Sequence, residues 1–339
     1  MECKKQYAPL RLLTAGALLD HLPPGWPGCM PIEEEHARRL TGWRGEQNLA
    51  YYLDLLTEDF RIFYGLRENA MNHFFQMDVL LIKENFALIL EVKNYAGTLV
   101  FESATGQMIR LLNGRRDGFP NPIVQVHRQR DMMHVWLHAR RLPQIPIEPL
   151  VIISSSSTII ENPSNSREVR DKVIHAEQVP FKLAMLMEKY KHSPTLSHLN
   201  QIERQLLEGH TDPPLNILEK YQILPDNLLR GVRCPHCHLF GMRRVYATWV
   251  CPRCGTASRT AHEQMILDYF LLCGETMTNK EGRWWLGTEN RQLIHRLTQK
   301  MNINIAGSGR GAGQYYVRPS HEYFHQYDQM QRSMNRRIR

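Results

Sequence analysis

The sequence predicts an α/β chain, a mixed sheet flanked by helices, with two small modules after it. Three observations carry this: the order helix, three-strand meander, helix, strand in the first half; two matched C-x-x-C pairs; and positive charge gathered in the last third. At 339 residues the chain is too long for one ordinary domain, since about 100–200 residues per domain is usual. A composition of 42% hydrophobic and 22% charged residues excludes a disordered or low-complexity chain. No apolar run reaches the roughly 20 residues that cross a bilayer. Arg11 and Asp20 interrupt the apolar stretch near the amino terminus, so no secretory segment is expected there and a cytoplasmic protein is.

In chain order, residues 1–40 are Pro-studded and are expected to form an arm over the next domain. Leu49, Leu53 and Leu56, at spacings of four and three, mark an amphipathic helix that begins near Glu33. Strands follow at 60–64, 76–82 and 86–92, with a polar loop over 65–72 and a Lys83-Glu84-Asn85 turn joining the last two into a hairpin. Two more strands, at 97–102 and 107–112, precede Asn113-Gly114, a hairpin signal, and a loop that ends at Pro122. A helix over 123–138 and buried strands at 150–154 and 173–175 complete an α/β domain spanning 41–180. Residues 181–230 are helical, polar and interrupted by prolines, as a connector would be.

Cys234-Pro-His-Cys237 and Cys251-Pro-Arg-Cys254 place two pairs of thiolates on tight turns 13 residues apart. Two such turns close a tetrahedral sulfur site around structural Zn2+, leaving no open position for chemistry, and define a zinc ribbon over 231–258. His236 and His238 flank the first pair as substitute ligands, but four cysteines already saturate the ion. Cys3, Cys29 and Cys273 stand alone, which fits a reducing compartment.

Residues 259–320 read as three helices and a Gly-rich hairpin, and 321–339 as a basic tail. The third helix is expected to start at Thr288 as its cap. Leu293, Leu297 and Met301 line its inner face, and Arg291, His295, Thr298 and Gln299 its outer one. Three helices and a hairpin resemble a winged helix-turn-helix, in which the third helix enters the major groove and the wing, here tipped by Arg310, follows the backbone. Residues 231–339 carry 16 Lys+Arg and 7 Asp+Glu, a net of +9, which leaves 26 and 27, a net of −1, for residues 1–230. A basic third on a neutral body is the footprint of a nucleic-acid binder.

Glu91 and Lys93, two residues apart at the end of an apolar strand, point from one face. The hairpin brings Asp78 opposite Leu90 or, with a bulge, Glu91. Two carboxylates beside an amine can hold a hard cation such as Mg2+ (or Mn2+) and orient a water for in-line attack on phosphate. The alternative reading of an isolated E-x-K is a solvated cross-strand pair, and the same pattern recurs at Glu2 and Lys4.

Around these residues the chain resembles the nuclease-related domain (NERD) family, a branch of the restriction-endonuclease-like PD-(D/E)xK fold. The resemblance covers roughly residues 40–155: Gly42-Trp43-Arg44-Gly45-Glu46, Gln76-Met77-Asp78, Leu90-Glu91-Val92-Lys93-Asn94 and Asn121-Pro122-Ile123-Val124-Gln125. It implies Asp78 and Glu91 as metal ligands, with the carbonyl of Val92 as a third, Lys93 serving the nucleophilic water, and Glu46 and Gln125 completing the site. Two departures are a long stretch between Glu46 and Asp78 and Met77 where the family carries proline. The expected function is metal-dependent hydrolysis of nucleic acid, DNA before RNA. The alternative is a non-catalytic nucleic-acid-binding or adaptor protein on the same fold.

Overall fold

The computed structural model describes residues 1–56, 59–102, 105–195, 198–308 and 313–338, with side chains described through 331. It is a mixed α/β structure that divides into two compact units, Met1–Gln6 with Arg38–Pro213, and Tyr7–Ala37 with Pro214–Arg339.

The strands of the first unit are β1 (Glu2–Lys4), β2 (Arg61–Ala70), β3 (His73–Ile82), β4 (Ala87–Lys93), β5 (Thr98–Glu102), β6 (Gln107–Leu112), β7 (Arg115–Pro120), β8 (Ile147–Ile153), β9 (Ile159–Glu161) and β10 (Val173–His175). Six of them form one sheet in the order β1-β2-β3-β4-β8-β10. The β2-β3-β4 meander is antiparallel, while β1 beside β2, β8 beside β4 and β10 beside β8 run parallel. Parallel central strands are covered on both faces, which explains their unbroken apolar runs. Leu80, Ile89, Val151 and Ile153 face the helix Pro122–Ala139 through Val126, Met133 and Trp136. Val79, Leu81, Leu88, Leu90, Leu150 and Ile152 face the other way, onto Leu49 and Leu53 and onto the helix Val179–Tyr190. Each such fully buried side chain contributes roughly 1.5–3 kcal/mol.

Several elements differ from the expected ones. The loop expected over 65–72 is instead a continuation of β2 to Ala70, closed by Met71 and Asn72, both at positive φ. That is the two-residue turn whose twist suits a hairpin. The loop expected after Asn113-Gly114 is strand β7, paired with β6, and β5, β6, β7 and β9 form a second sheet of four strands. The first 40 residues contain β1, the helix Leu10–His21 and the start of the helix Cys29–Asp54. Leu10, Ala15, Leu18 and Leu22 share a buried cluster with Met265, Phe270 and Trp285, so the helix Leu10–His21 contributes to the core of the second unit and is not an arm, while β1 belongs to the first.

The second unit is built around the helix Ala261–Leu272, apolar nearly all round and buried from Met265 to Leu272, as a central helix must be. His21 is fully buried against it. Its Nδ1 lies 2.7 Å from the Leu229 carbonyl and its Nε2 3.0 Å from Asp268 Oδ2, and its ring stacks on Trp285. Strands β11 (Arg243–Val245), β12 (Thr248–Val250) and β13 (Ala257–Ser258) form an antiparallel ribbon. After the central helix come β14 (Thr276–Thr278), the helix Asn279–Leu286, the helix Arg291–Lys300, and β15 (Ile305–Ala306) with β16 (Tyr315–Val317), in a sheet ordered β14-β16-β15. Thr278 caps the helix Asn279–Leu286 in a capping box with Glu281, and Gly287, at φ 64°, ends it. The tail expected at 321–339 begins a helix, His321–Ile338.

Candidate functional site

The turn between β3 and β4 decides the first site. Lys83 N donates to Phe86 O at 2.9 Å, so Phe86 belongs to the turn and Ile82 pairs with Ala87. The ladder runs to Val79 opposite Leu90, and Asp78 and Glu91 are the next residue on each strand. Facing residues of an antiparallel pair project to the same side, here the side that carries the helix Pro122–Ala139. Asp78 Oδ2 accepts from the backbone N–H of Val92 at 2.9 Å.

Glu91 is almost fully buried and accepts three side-chain hydrogen bonds. Its Oε1 accepts from Lys93 Nζ at 2.6 Å and from Gln125 Nε2 at 2.6 Å; its Oε2 accepts from Gln129 Nε2 at 2.7 Å. Lys93 Nζ also donates to Gln125 Oε1 at 3.1 Å. The Gln125 carboxamide thus bridges the ammonium with its oxygen and the carboxylate with its nitrogen, and only one orientation of the amide does both. Asn121 Oδ1 caps the Pro122–Ala139 helix through Ile123 N at 2.9 Å, which sets Gln125 one turn in and Gln129 a second turn in on the same face. Gln129 was not among the expected residues. Its signal was the i, i+4 repeat with Gln125, and its Nε2 also donates to Gln76 O at 2.8 Å.

Glu46 reaches this neighbourhood on the helix Cys29–Asp54. A Cβ at Gly45 would stand 2.6 Å from Asn94 Cβ and 2.8 Å from Ser154 Oγ, so glycine is required for the helix to close on the ends of β4 and β8. Asn48 Nδ2 donates to Ser154 O, and Asn94 Nδ2 to Thr41 O at 2.7 Å. Burial, reinforced by the charge of Glu91 and opposed by Lys4, pushes the Glu46 carboxyl up to about 7. Burial and the charges of Glu91 and Glu46 likewise hold Asp78 well above the usual carboxylate range, against the Val92 N–H and Lys93. Lys93 is raised: its burial is outweighed by the charge and hydrogen bond of Glu91 and by Asp78.

This cluster is short of positive charge. Carboxylates are the hard oxygen donors that Mg2+ or Mn2+ takes, and a divalent cation would relieve the repulsion that raises Asp78 and Glu46. Among the described residues no three acidic groups converge to within 4.8 Å, so such an ion would complete its shell with water, as Mg2+ commonly does.

The second site is made of sulfur. The Sγ atoms of Cys234, Cys237, Cys251 and Cys254 all lie within 4.8 Å of one another, with Cys234–Cys254 and Cys237–Cys251 at 3.6 Å. A tetrahedron with Zn–S of about 2.3 Å has edges of about 3.8 Å, so the set fits zinc; a disulfide, at about 2.05 Å, is excluded. Each pair sits on a turn closed by its own backbone, Cys234 N to Leu239 O at 2.8 Å and Cys251 N to Thr256 O at 2.9 Å. His236 and His238 lie outside the cluster. This is a zinc ribbon in arrangement, with β11, β12 and β13 beneath it.

In the helix Arg291–Lys300, Arg291, His295 and Gln299 are exposed and Leu293 and Leu297 buried. Two details differ from expectation. The cap is Asn290, whose Oδ1 accepts from Leu293 N at 3.0 Å. Thr298 is buried, its hydroxyl donating to Ile294 O at 3.0 Å. Arg310 lies outside the described residues.

A mixed sheet flanked by helices thus brings Asp78, midway along β3, together with Glu91 and Lys93 at the end of β4. Residues 41–154 match the family model of the nuclease-related domain, NERD, and that segment contains Glu46, Asp78, Glu91, Lys93, Gln125 and Gln129. A nuclease-related role and interaction with nucleic acid follow for this segment. Comparison with curated proteins and with solved structures finds no match. No described helix is long and apolar enough to cross a membrane.

Proposed function

We propose that the protein is a divalent-metal-dependent nuclease, with DNA as its first substrate. The observation that carries this is the Asp78–Glu91–Lys93–Gln125 cluster inside the nuclease-related segment, with the Asp78 carboxylate forced above its ordinary range by burial and by the neighbouring acids. The bound Mg2+ or Mn2+ would polarise the phosphate and acidify a water. Asp78, Glu91 and the Val92 carbonyl are assigned as its ligands. Lys93, kept protonated by Glu91, orients that water by donating a hydrogen bond; Gln125 and Gln129 hold the Glu91 carboxylate, and Glu46 accepts a proton close to neutral pH.

We assign delivery to the second unit, which holds most of the net positive charge. Helix, strand, helix, helix, strand, strand with sheet order β14-β16-β15 supports a winged-helix reading, with Arg291, His295 and Gln299 as its nucleic-acid face and the zinc ribbon packed in the same core through Cys234, Trp249 and Cys251. The test is incubation of the full chain with plasmid, single-stranded DNA and RNA, with Mg2+, Mn2+ or chelator, beside Lys93→Ala. Metal-dependent cleavage of DNA that Lys93→Ala abolishes is expected; no cleavage with any metal would return the alternative of a binding protein on this fold.

A further inference from the structure

The reading above asks the second unit only for a grip on phosphate, but a cavity there has chemistry beyond that. It measures about 340 Å3 and lies where the helix Arg291–Lys300 begins, beside β15 and β16. Tyr315 and Ile305 supply apolar surface, and both are more than a third exposed. Two carboxamides line it. Asn279 donates its Nδ2 to Arg291 O at 3.0 Å, and its Oδ1 has no hydrogen-bond partner among the described residues; Gln314 is exposed. Arg291 and His295 add cationic or proton-donating groups, and neither side chain has an ion pair among the described residues. Among the described residues that line the cavity none is a carboxylate.

An aromatic face, amide donors and acceptors at the edge, and an arginine with no counter-charge match the three parts of a nucleotide: a flat base, its hydrogen-bonding rim and its phosphate. The volume is at the small end of ligand pockets and suits one nucleotide, not a strand. A base within a duplex has its rim paired and its faces stacked, so it cannot offer them to Tyr315 and Asn279. We propose that this cavity binds one unpaired nucleotide, the base on Tyr315 and against Asn279 and Gln314, the phosphate at Arg291 and His295. The protein then selects nucleic acid with a single-stranded or frayed end. This rests on reading the second unit as a nucleic-acid binder.

Fluorescence anisotropy on the full chain without added Mg2+ tests it, using a single strand, a blunt duplex, the same duplex with an overhang, and a free nucleoside monophosphate as competitor. The single strand and the overhang are expected to bind about tenfold tighter than the blunt duplex, the weight of one base stacked on an aromatic ring. Tyr315→Ala should remove that preference and Tyr315→Phe keep it. Because Tyr315 pairs with Ala306 and Thr278, Gln314→Ala supplies a second variant at an exposed position and should reduce the preference. Equal affinity for blunt and overhanging duplex, or a preference that survives Tyr315→Ala, overturns the inference while leaving the nuclease reading intact. Competition by the free monophosphate would give the pocket a soluble nucleotide as its ligand. If no polymer and no monophosphate binds, the pocket and the delivery role both fall.

Discussion

The two polar centres are assembled by different routes. In the second unit each pair of cysteines lies three residues apart on one turn, and the turn's own backbone bonds aim both sulfurs. In the first unit Asp78, Glu91, Gln125 and Glu46 come from two strands and two helices, and their meeting depends on strand register, helix capping and the absence of a side chain at Gly45. The sulfur site offers four thiols to a single ion and has no resident cation among its ligands. The carboxylate site keeps a resident cation, Lys93, and still leaves Asp78 and Glu46 raised. A local site of this kind stabilises a fold; a long-range site under electrostatic stress is what chemistry needs.

The largest expected effect is on the sulfur side. Cys237→Ser should abolish stoichiometric zinc and, because structural zinc contributes on the order of 10 kcal/mol and Cys234 and Cys251 belong to the unit's buried core, melt the second unit while the first retains its own transition. Metal analysis with calorimetry reads both; full metal loss with an unchanged second transition would break the comparison. Next, Asp78→Ala and Glu91→Ala should each slow cleavage about a thousandfold or more, the equivalent of several kcal/mol, with DNA affinity little changed. Wild-type turnover in either would move the site elsewhere.

Gln129→Ala removes one of three donors from Glu91 and should cost about 10–100-fold in rate or metal affinity, as loss of a ligand's supporting hydrogen bond does; kinetics across a metal titration would show it. The smallest effect concerns pH. A carboxyl whose folded value is raised binds more protons in the native state than in the unfolded one, so without metal the Glu46 contribution to stability falls as pH rises from about 4.5 to about 7. Glu46→Gln should flatten that slope and raise the melting temperature more at pH 8 than at pH 5. A slope unchanged in Glu46→Gln would show that other groups set it.

The sequence alone determined whatever depends on near neighbours along the chain. The four thiols, the shared face of Glu91 and Lys93, and the Asn121–Gln125 helix opening all follow from turn spacing, the two-residue period of a strand and the 3.6-residue period of a helix. Tertiary structure decided whatever depends on how far one element is shifted against another. Whether Phe86 joins the turn moves Asp78 by one position, from Leu90 to Glu91, and no local pattern distinguishes the two. Gln129, a plausible surface amide by sequence, becomes a buried support for Glu91 only because the Pro122–Ala139 helix lies across β4. The Leu10–His21 helix, hidden in a proline-rich stretch, forms because Met265, Phe270 and Trp285, some 250 residues away, cover its apolar face. Thr298, polar by type, is turned inward because its hydroxyl finds a carbonyl of its own helix. Short-range geometry is written in covalent spacing and rotamer period; register and burial are settled only when distant apolar surfaces compete for the same space.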